Sequence, residues 1–133
     1  MIIDTSAIAC VLKSEPDRNR VMDRLVAGDP LRMSTGTASE LHVVVTRWVK
    51  PVAHAKIDYF LASLGVELVA YDARQLETFR RAYRLYGRGG HNDSLARLNF
   101  GDCFAYALAK VTGEPLLFIG DDFTHTDLVP ALR

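Results

Sequence analysis

Five acidic residues are spaced so that they could serve one site: Asp4, Glu40, Asp102, Asp121 and Asp122. Asp4 follows the apolar Met1-Ile2-Ile3 and precedes Thr5-Ser6-Ala7, which puts its carboxylate where a short buried strand gives way to a helix. A charge in that position is costly unless something compensates it. In α/β proteins the carboxyl end of a strand is also where ligands bind. Glu40 falls in the first turn of a helix opened by Thr37, and Asp102 in the first turn of a helix opened by Asn99. Asp121 and Asp122 directly follow an apolar strand, Pro115-Leu116-Leu117-Phe118-Ile119, and Gly120. Clustered carboxylates repel and rise in pKa unless a cation sits among them. An all-oxygen ligand set without Cys or His suits Mg²⁺ or Mn²⁺. Such an ion binds phosphate oxygens and activates water for in-line attack on phosphorus. The chemistry these residues suit is that of a metal-dependent phosphodiesterase or phosphatase.

Each acid also has a plainer use. Thr37-x-x-Glu40 fits a capping box, and Asn99-x-x-Asp102 is a close relative of one. Asp121-Asp122 could be ordinary turn residues. Asp4 alone is expected to have no capping role, and the other acids converge on it if the sheet is parallel.

The elements that must position them alternate between strand and helix. A helix follows Asp4 to Leu12; a second carries Val21, Met22, Leu25 and Val26 and stops at Gly28, with Pro16 suited to its first turn. Residues 31–33 form a weak strand. The helix from Thr37 turns Leu41, Val44, Val45 and Trp48 inward and ends before Pro51. A helix over residues 52–64 uses Ile57, Phe60, Leu61 and Leu64, and residues 66–70 make a strand. Asp72 caps a helix with Leu76, Phe79, Tyr83 and Tyr86 on one face. Residues 87–98 make one long loop, and the helix from Asn99 to Lys110 turns Phe104, Ala107, Leu108 and Val111 inward. This alternation predicts a parallel sheet with helices on both faces, in a single domain over residues 1–133.

Bulk properties narrow the class. Apolar residues make up 49% and charged ones 24%, as in an ordinary soluble domain. Sixteen basic residues balance sixteen acidic ones, which argues against strong non-specific attraction to nucleic acid. Yet half of the twelve arginines (Arg74, Arg80, Arg81, Arg84, Arg88 and Arg97) lie in one short segment. Of these, Arg80, Arg84 and Arg88, with His91 in the loop, are candidate RNA contacts, although a solvated helix face is the commoner explanation of such a run. The four histidines form no ligand spacing. No stretch approaches the roughly 18 apolar residues of a membrane span, and Cys10 and Cys103 are expected as buried thiols of a cytoplasmic protein.

Taken together, Met1-Ile2-Ile3-Asp4-Thr5-Ser6-Ala7, Glu40, Asn99-Phe100-Gly101-Asp102-Cys103 and Pro115 through Phe123 resemble the PIN domain. More narrowly they resemble the VapC-type ribonuclease toxins of toxin–antitoxin pairs. The resemblance implies a three-layer α/β/α sandwich with a short, mainly parallel central sheet, and a Mg²⁺-dependent endoribonuclease (Mn²⁺ being the alternative ion). It implies Asp4 and Asp102 as principal metal ligands, Glu40 as the acid that orients or deprotonates water, and Asp122 as the fourth acid, with Asp121 able to exchange roles with it. Thr5 or Ser6 would donate a hydroxyl hydrogen bond in the pocket. RNA as substrate, a homodimer and a VapB-type antitoxin are the implied partners. Two other classes compete. The first is an acid-cluster phosphatase or phosphotransfer domain: aspartate-nucleophile phosphatases want a second acid two residues after the first, where this chain has Ser6, and receiver domains want a phosphoacceptor on a middle strand with a matching lysine, neither of which is evident. A catalytically silent binding module would have no use for so costly a cluster.

Overall fold

The computed structural model describes residues 1–47 and 53–132. Four short strands, β1 (Ile2–Ile3), β2 (Arg32–Ser34), β3 (Glu67–Val69) and β4 (Leu116–Leu117), form an all-parallel sheet in the order β3-β2-β1-β4. Side chains alternate across it, as strand geometry requires. Ile3, Met33 and Leu117 enter one core with α1 (Thr5–Leu12), α2 (Arg18–Leu25), α3 (Thr35–Thr46) and α4 (Ala53–Ser63). Ile2 and Leu116 enter a second core with α5 (Ala73–Tyr86) and α6 (Asp102–Thr112). Two cores on opposite faces make the expected α/β/α layering. Both cysteines are free and buried.

Several local expectations give way to tertiary packing. Ser34, not Thr37, caps α3, accepting from the backbone N–H of Gly36 at 3.2 Å, so Glu40 lies one turn inside the helix. Helix α2 starts at Arg18, beyond Pro16, and Val26 is exposed at its C-cap. On α5 the fully buried positions are Gln75 and Ala82; Leu76 and Tyr83 are only partly covered, each a little over a third exposed. The Gln75 Nε2 donates to the Ala70 carbonyl at 2.7 Å, while its Oε1 is buried without a partner among the described residues, so this core position beside β3 is only half satisfied. Helix α6 is wrapped on nearly every side, burying seven of its residues from Asp102 to Ala109. Trp48, Pro51 and Val52 lie outside the described residues.

The long loop is held at its ends and within. Gly87 and Leu98 form an isolated bridge, and Asn92 donates to the carbonyls of Arg84 and Gly87 while accepting from the Ser94 N–H. Beyond β4 the chain turns twice and runs back alongside it, with Ala131 N–H donating to Leu116 at 2.8 Å. Asp127 in that return segment accepts from the Tyr106 hydroxyl at 2.6 Å and pairs with Lys110 at 2.9 Å.

Candidate active site

Because β1 is an interior strand, Asp4 emerges inside the sheet's C-terminal edge rather than at a margin. It is the N-cap of α1: Oδ2 accepts from the Ser6 N–H at 2.9 Å and the Ser6 hydroxyl at 2.6 Å. This corrects the expectation that Asp4 has no capping role. The cap occupies one oxygen only. Oδ1 is buried without a hydrogen-bond partner among the described residues. Ser6 Oγ in turn accepts from the Ile119 N–H at 3.0 Å, tying the end of β1 to the segment that follows β4.

Glu40 reaches the same edge from α3. The Thr5 hydroxyl donates to its Oε2 at 2.6 Å, so the two pocket hydroxyls hold two different acids. The Glu40 carboxylate also lies directly against Gly101, in space that a Cβ there would fill. Gly101 has ordinary right-handed helical angles (φ −65°, ψ −43°), so glycine is needed for room and not for conformation. Asp102 forms the reciprocal cap its spacing suggests: its Oδ2 accepts from the Asn99 N–H at 2.6 Å and its N–H donates to Asn99 Oδ1 at 2.9 Å. Again one oxygen is held and the other remains for the pocket.

The electrostatics bind these acids into one cluster. Burial raises the Asp102 carboxyl to about 8, aided by the charges of Asp4, Asp122 and Glu40 and opposed by the Asn99 bond. Burial also raises Asp4 to about 6 against the Ser6 bonds, with Glu40 adding to the rise. Four carboxylates from four separate stretches of sequence therefore act on one another. Asp122 is half-buried and pairs with Arg88 at 3.6 Å, whereas Asp121 is exposed and its carbonyl accepts from Thr124 in a turn.

The candidate nucleic-acid contacts are less unified. Arg88 is brought to the acid rim through Asp122, but Arg80 pairs with Glu77 on its own helix at 3.7 Å. Arg84 and His91 are exposed on α5 and the loop. His42 takes a packing role, bonding Asp58 at 2.9 Å and stacking on His54 at 5.3 Å. Gly36 and Gly101 carry no side chain, and their roles in giving room were not legible; for Gly101 the available signal was its place directly before Asp102 at a helix start.

The donor set fits a hard divalent cation. All its atoms are carboxylate or hydroxyl oxygens, and the buried, unpartnered Asp4 Oδ1 lacks any other compensation. Among the described residues no three acid, His or Cys side chains close into a complete cage. A largely hydrated ion held by one or two carboxylates requires none.

The comparisons with known proteins agree with this geometry. The PIN domain family model matches residues 1–128. Ribonuclease VapC42 of Mycobacterium tuberculosis is 46% identical over 132 residues, covering 98% of both chains. The crystal structure of VapC20 from the same organism, described as a sarcin–ricin-loop-cleaving toxin, superimposes with a TM-score of 0.75 at 17% identity, over 99% of this chain and 98% of that one. VapBC2 of Rickettsia felis, solved bound to a fragment of its promoter DNA, gives 0.69 at 15% identity, over 97% and 95% of the respective chains. At those identities the two structures speak for the fold, and the sequence match speaks for the family. The chain belongs to the PIN domain family, among the VapC ribonucleases.

Proposed function

We propose that this protein is the toxin of a type II toxin–antitoxin pair and hydrolyses RNA phosphodiester bonds at the Asp4, Glu40, Asp102 and Asp122 pocket. The observation that carries the site assignment is the buried, unpartnered Oδ1 of Asp4, a carboxylate whose charge acts on Asp102 together with those of Glu40 and Asp122. Asp4 and Asp102 are the proposed holders of Mg²⁺, or of Mn²⁺, each having one oxygen fixed by a cap and one to offer. When bound, the cation supplies charge neutralisation for the cluster and for a phosphate brought among the acids. Glu40, oriented by Thr5 and pressed against Gly101, is the group placed to accept a proton from the attacking water. Asp122 sits at the rim, where Arg88 can exchange its carboxylate partner for a substrate phosphate. The phosphatase reading loses ground because Ser6, where a second acid would be needed, is committed to Asp4 and Ile119.

The cognate VapB-type antitoxin and a homodimer complete the proposal. Exposed Tyr59 and Val43 on α4 and α3 offer apolar surface for such partners, whereas Phe60 packs against the protein's own core. No helix among the described residues is long and apolar enough to cross a membrane.

Cleavage of a structured RNA panel by antitoxin-free protein, with Mg²⁺ and with EDTA, tests the reading. We expect cutting with Mg²⁺ only, lost at least ~100-fold in Asp4→Asn with the fold intact, as for removal of a catalytic charge. A folded protein that binds no metal and cuts no RNA would overturn it.

A further inference from the structure

A second feature lies directly beside the acids and shares Glu40 and Gly101 with them. Gly36, Ser39, Glu40, Val43, Phe100, Gly101 and Phe104 line a mainly apolar groove of about 360 Å³ between α3 and the start of α6. Phe100, two residues before Asp102, is 69% exposed. Its ring is nevertheless fixed, because Phe79 and Phe104 meet it edge to face with centroids 5.4 and 5.1 Å away. Tyr71 backs the pair, 4.9 Å from Phe104. Gly36 contributes to the same space: a Cβ there would strike the Phe104 ring, so the ring can lie flat against α3 only over a glycine.

We propose that this groove seats the base of a nucleotide flanking the scissile phosphate, stacked on Phe100. The inference rests on the ribonuclease reading of the acid site and names a substrate contact for it. Three observations favour a nucleobase as the occupant. Glu40 and Gly101 line the groove and the acid pocket alike, so a chain with a phosphate at the acids must lay its neighbouring base here or in solvent. The wall beside the acids is a buttressed, largely uncovered aromatic ring, the surface on which unpaired bases stack. The groove, at about 360 Å³, also has room for a flat base beside that ring. Stacking of this kind is tolerant of base identity, so Phe100 sets affinity and register while leaving sequence choice to other groups.

The test compares wild type, Phe100→Leu and Phe100→Trp on a short single-stranded RNA in Mg²⁺, with thermal melts confirming folding. Leucine keeps apolar area but removes the aromatic face. We expect Phe100→Leu to raise KM roughly 10-fold or more with little change in kcat, and Phe100→Trp to recover most of that loss. An abasic nucleotide at one position next to the cleavage site should erase the difference between wild type and Phe100→Leu. RNA carrying 2-aminopurine at that position, bound to the non-cutting Asp4→Asn protein, should be quenched through Phe100 and not through leucine. Wild-type cleavage that Phe100→Leu leaves unchanged would overturn the stacking and leave the nuclease standing. If the Leu variant cut normally but lost inhibition by its protein partner, the groove would be a protein-docking surface and the proposal would fall. No cutting by wild type, with no quenching by Asp4→Asn, would remove the nuclease reading and this one together.

Discussion

Asp102 carries the largest electrostatic cost in the pocket, and the sign of that cost fixes how the protein responds to pH. Its carboxyl is raised to about 8 from an ordinary 3.8, first by burial and then by Asp4, Asp122 and Glu40. A group whose folded pKa lies above its unfolded value stabilises the fold fully below the unfolded pKa and loses that contribution as pH rises through the folded one. Asp4, raised to about 6, adds in the same direction. Metal-free protein should therefore lose thermal stability as pH climbs from about 4 to 8. Added Mg²⁺ should restore more at pH 8 than at pH 5, since the ion requires the deprotonated acids. Asp102→Asn removes the repelled charge and should stabilise metal-free protein at pH 8 by on the order of 1–2 kcal/mol, roughly 4–8 °C in Tm. Melting curves in EDTA and in Mg²⁺ at both pH values check this; an EDTA melt that rises between pH 5 and 8 would refute it.

At the scale of elements, the pocket depends on how closely α3 approaches the start of α6, and Gly101 sets that approach. Its helical φ and ψ suit any residue, so Gly101→Ala should fold, yet the added methyl occupies the space of the Glu40 carboxylate. We expect catalytic efficiency to fall at least ~10-fold because the Glu40 carboxylate must move aside, with little change in stability, since only the end of a flexible side chain is displaced. Activity equal to wild type would show that Glu40 does not need its observed position. The contrast between Gly101 and the acids explains what a sequence reader could and could not see. Asp4 and Asp122 follow strands, Asp102 opens a helix, and Glu40 lies near the start of the helix that follows β2, so one edge for all four follows from the strand–helix alternation in a parallel fold. The closeness of Glu40 to Gly101 joins residues far apart in the chain, and no local spacing encodes it. Periodicity misled on α5 for a related reason: it identifies a face, but the neighbour that covers it decides depth. Ala82 sits deepest there, Gln75 is half satisfied by Ala70, and Leu76 and Tyr83 overhang the edge of the packing. Phe100 is the converse, a large apolar residue left exposed where periodicity assigns no purpose.

For the whole molecule, balanced charge conceals strong local separation. Sixteen acidic and sixteen basic residues cancel overall, yet the acid cluster lies at one sheet edge with Arg88 at its rim. A cation and a basic side chain of an inhibiting partner would meet the same need there, because each compensates Asp4, Glu40, Asp102 and Asp122 and only one can do so at a time. Competition for a common site lowers the apparent affinity of one ligand by a factor of one plus the other's concentration over its Kd. If the antitoxin inserts an arginine or lysine among the acids, its affinity should weaken as free Mg²⁺ rises: about 10-fold when Mg²⁺ reaches roughly ten times its own Kd. EDTA should strengthen the complex. Asp102→Asn should flatten the dependence on Mg²⁺, since the site then holds the ion poorly. Titrating the partner against wild type and Asp102→Asn at several Mg²⁺ concentrations and constant ionic strength separates site competition from general screening. An affinity independent of Mg²⁺ at constant ionic strength would place the partner away from the acids, on a surface such as that of exposed Tyr59 on α4, and inhibition would then proceed by blocking RNA access and not by filling the pocket.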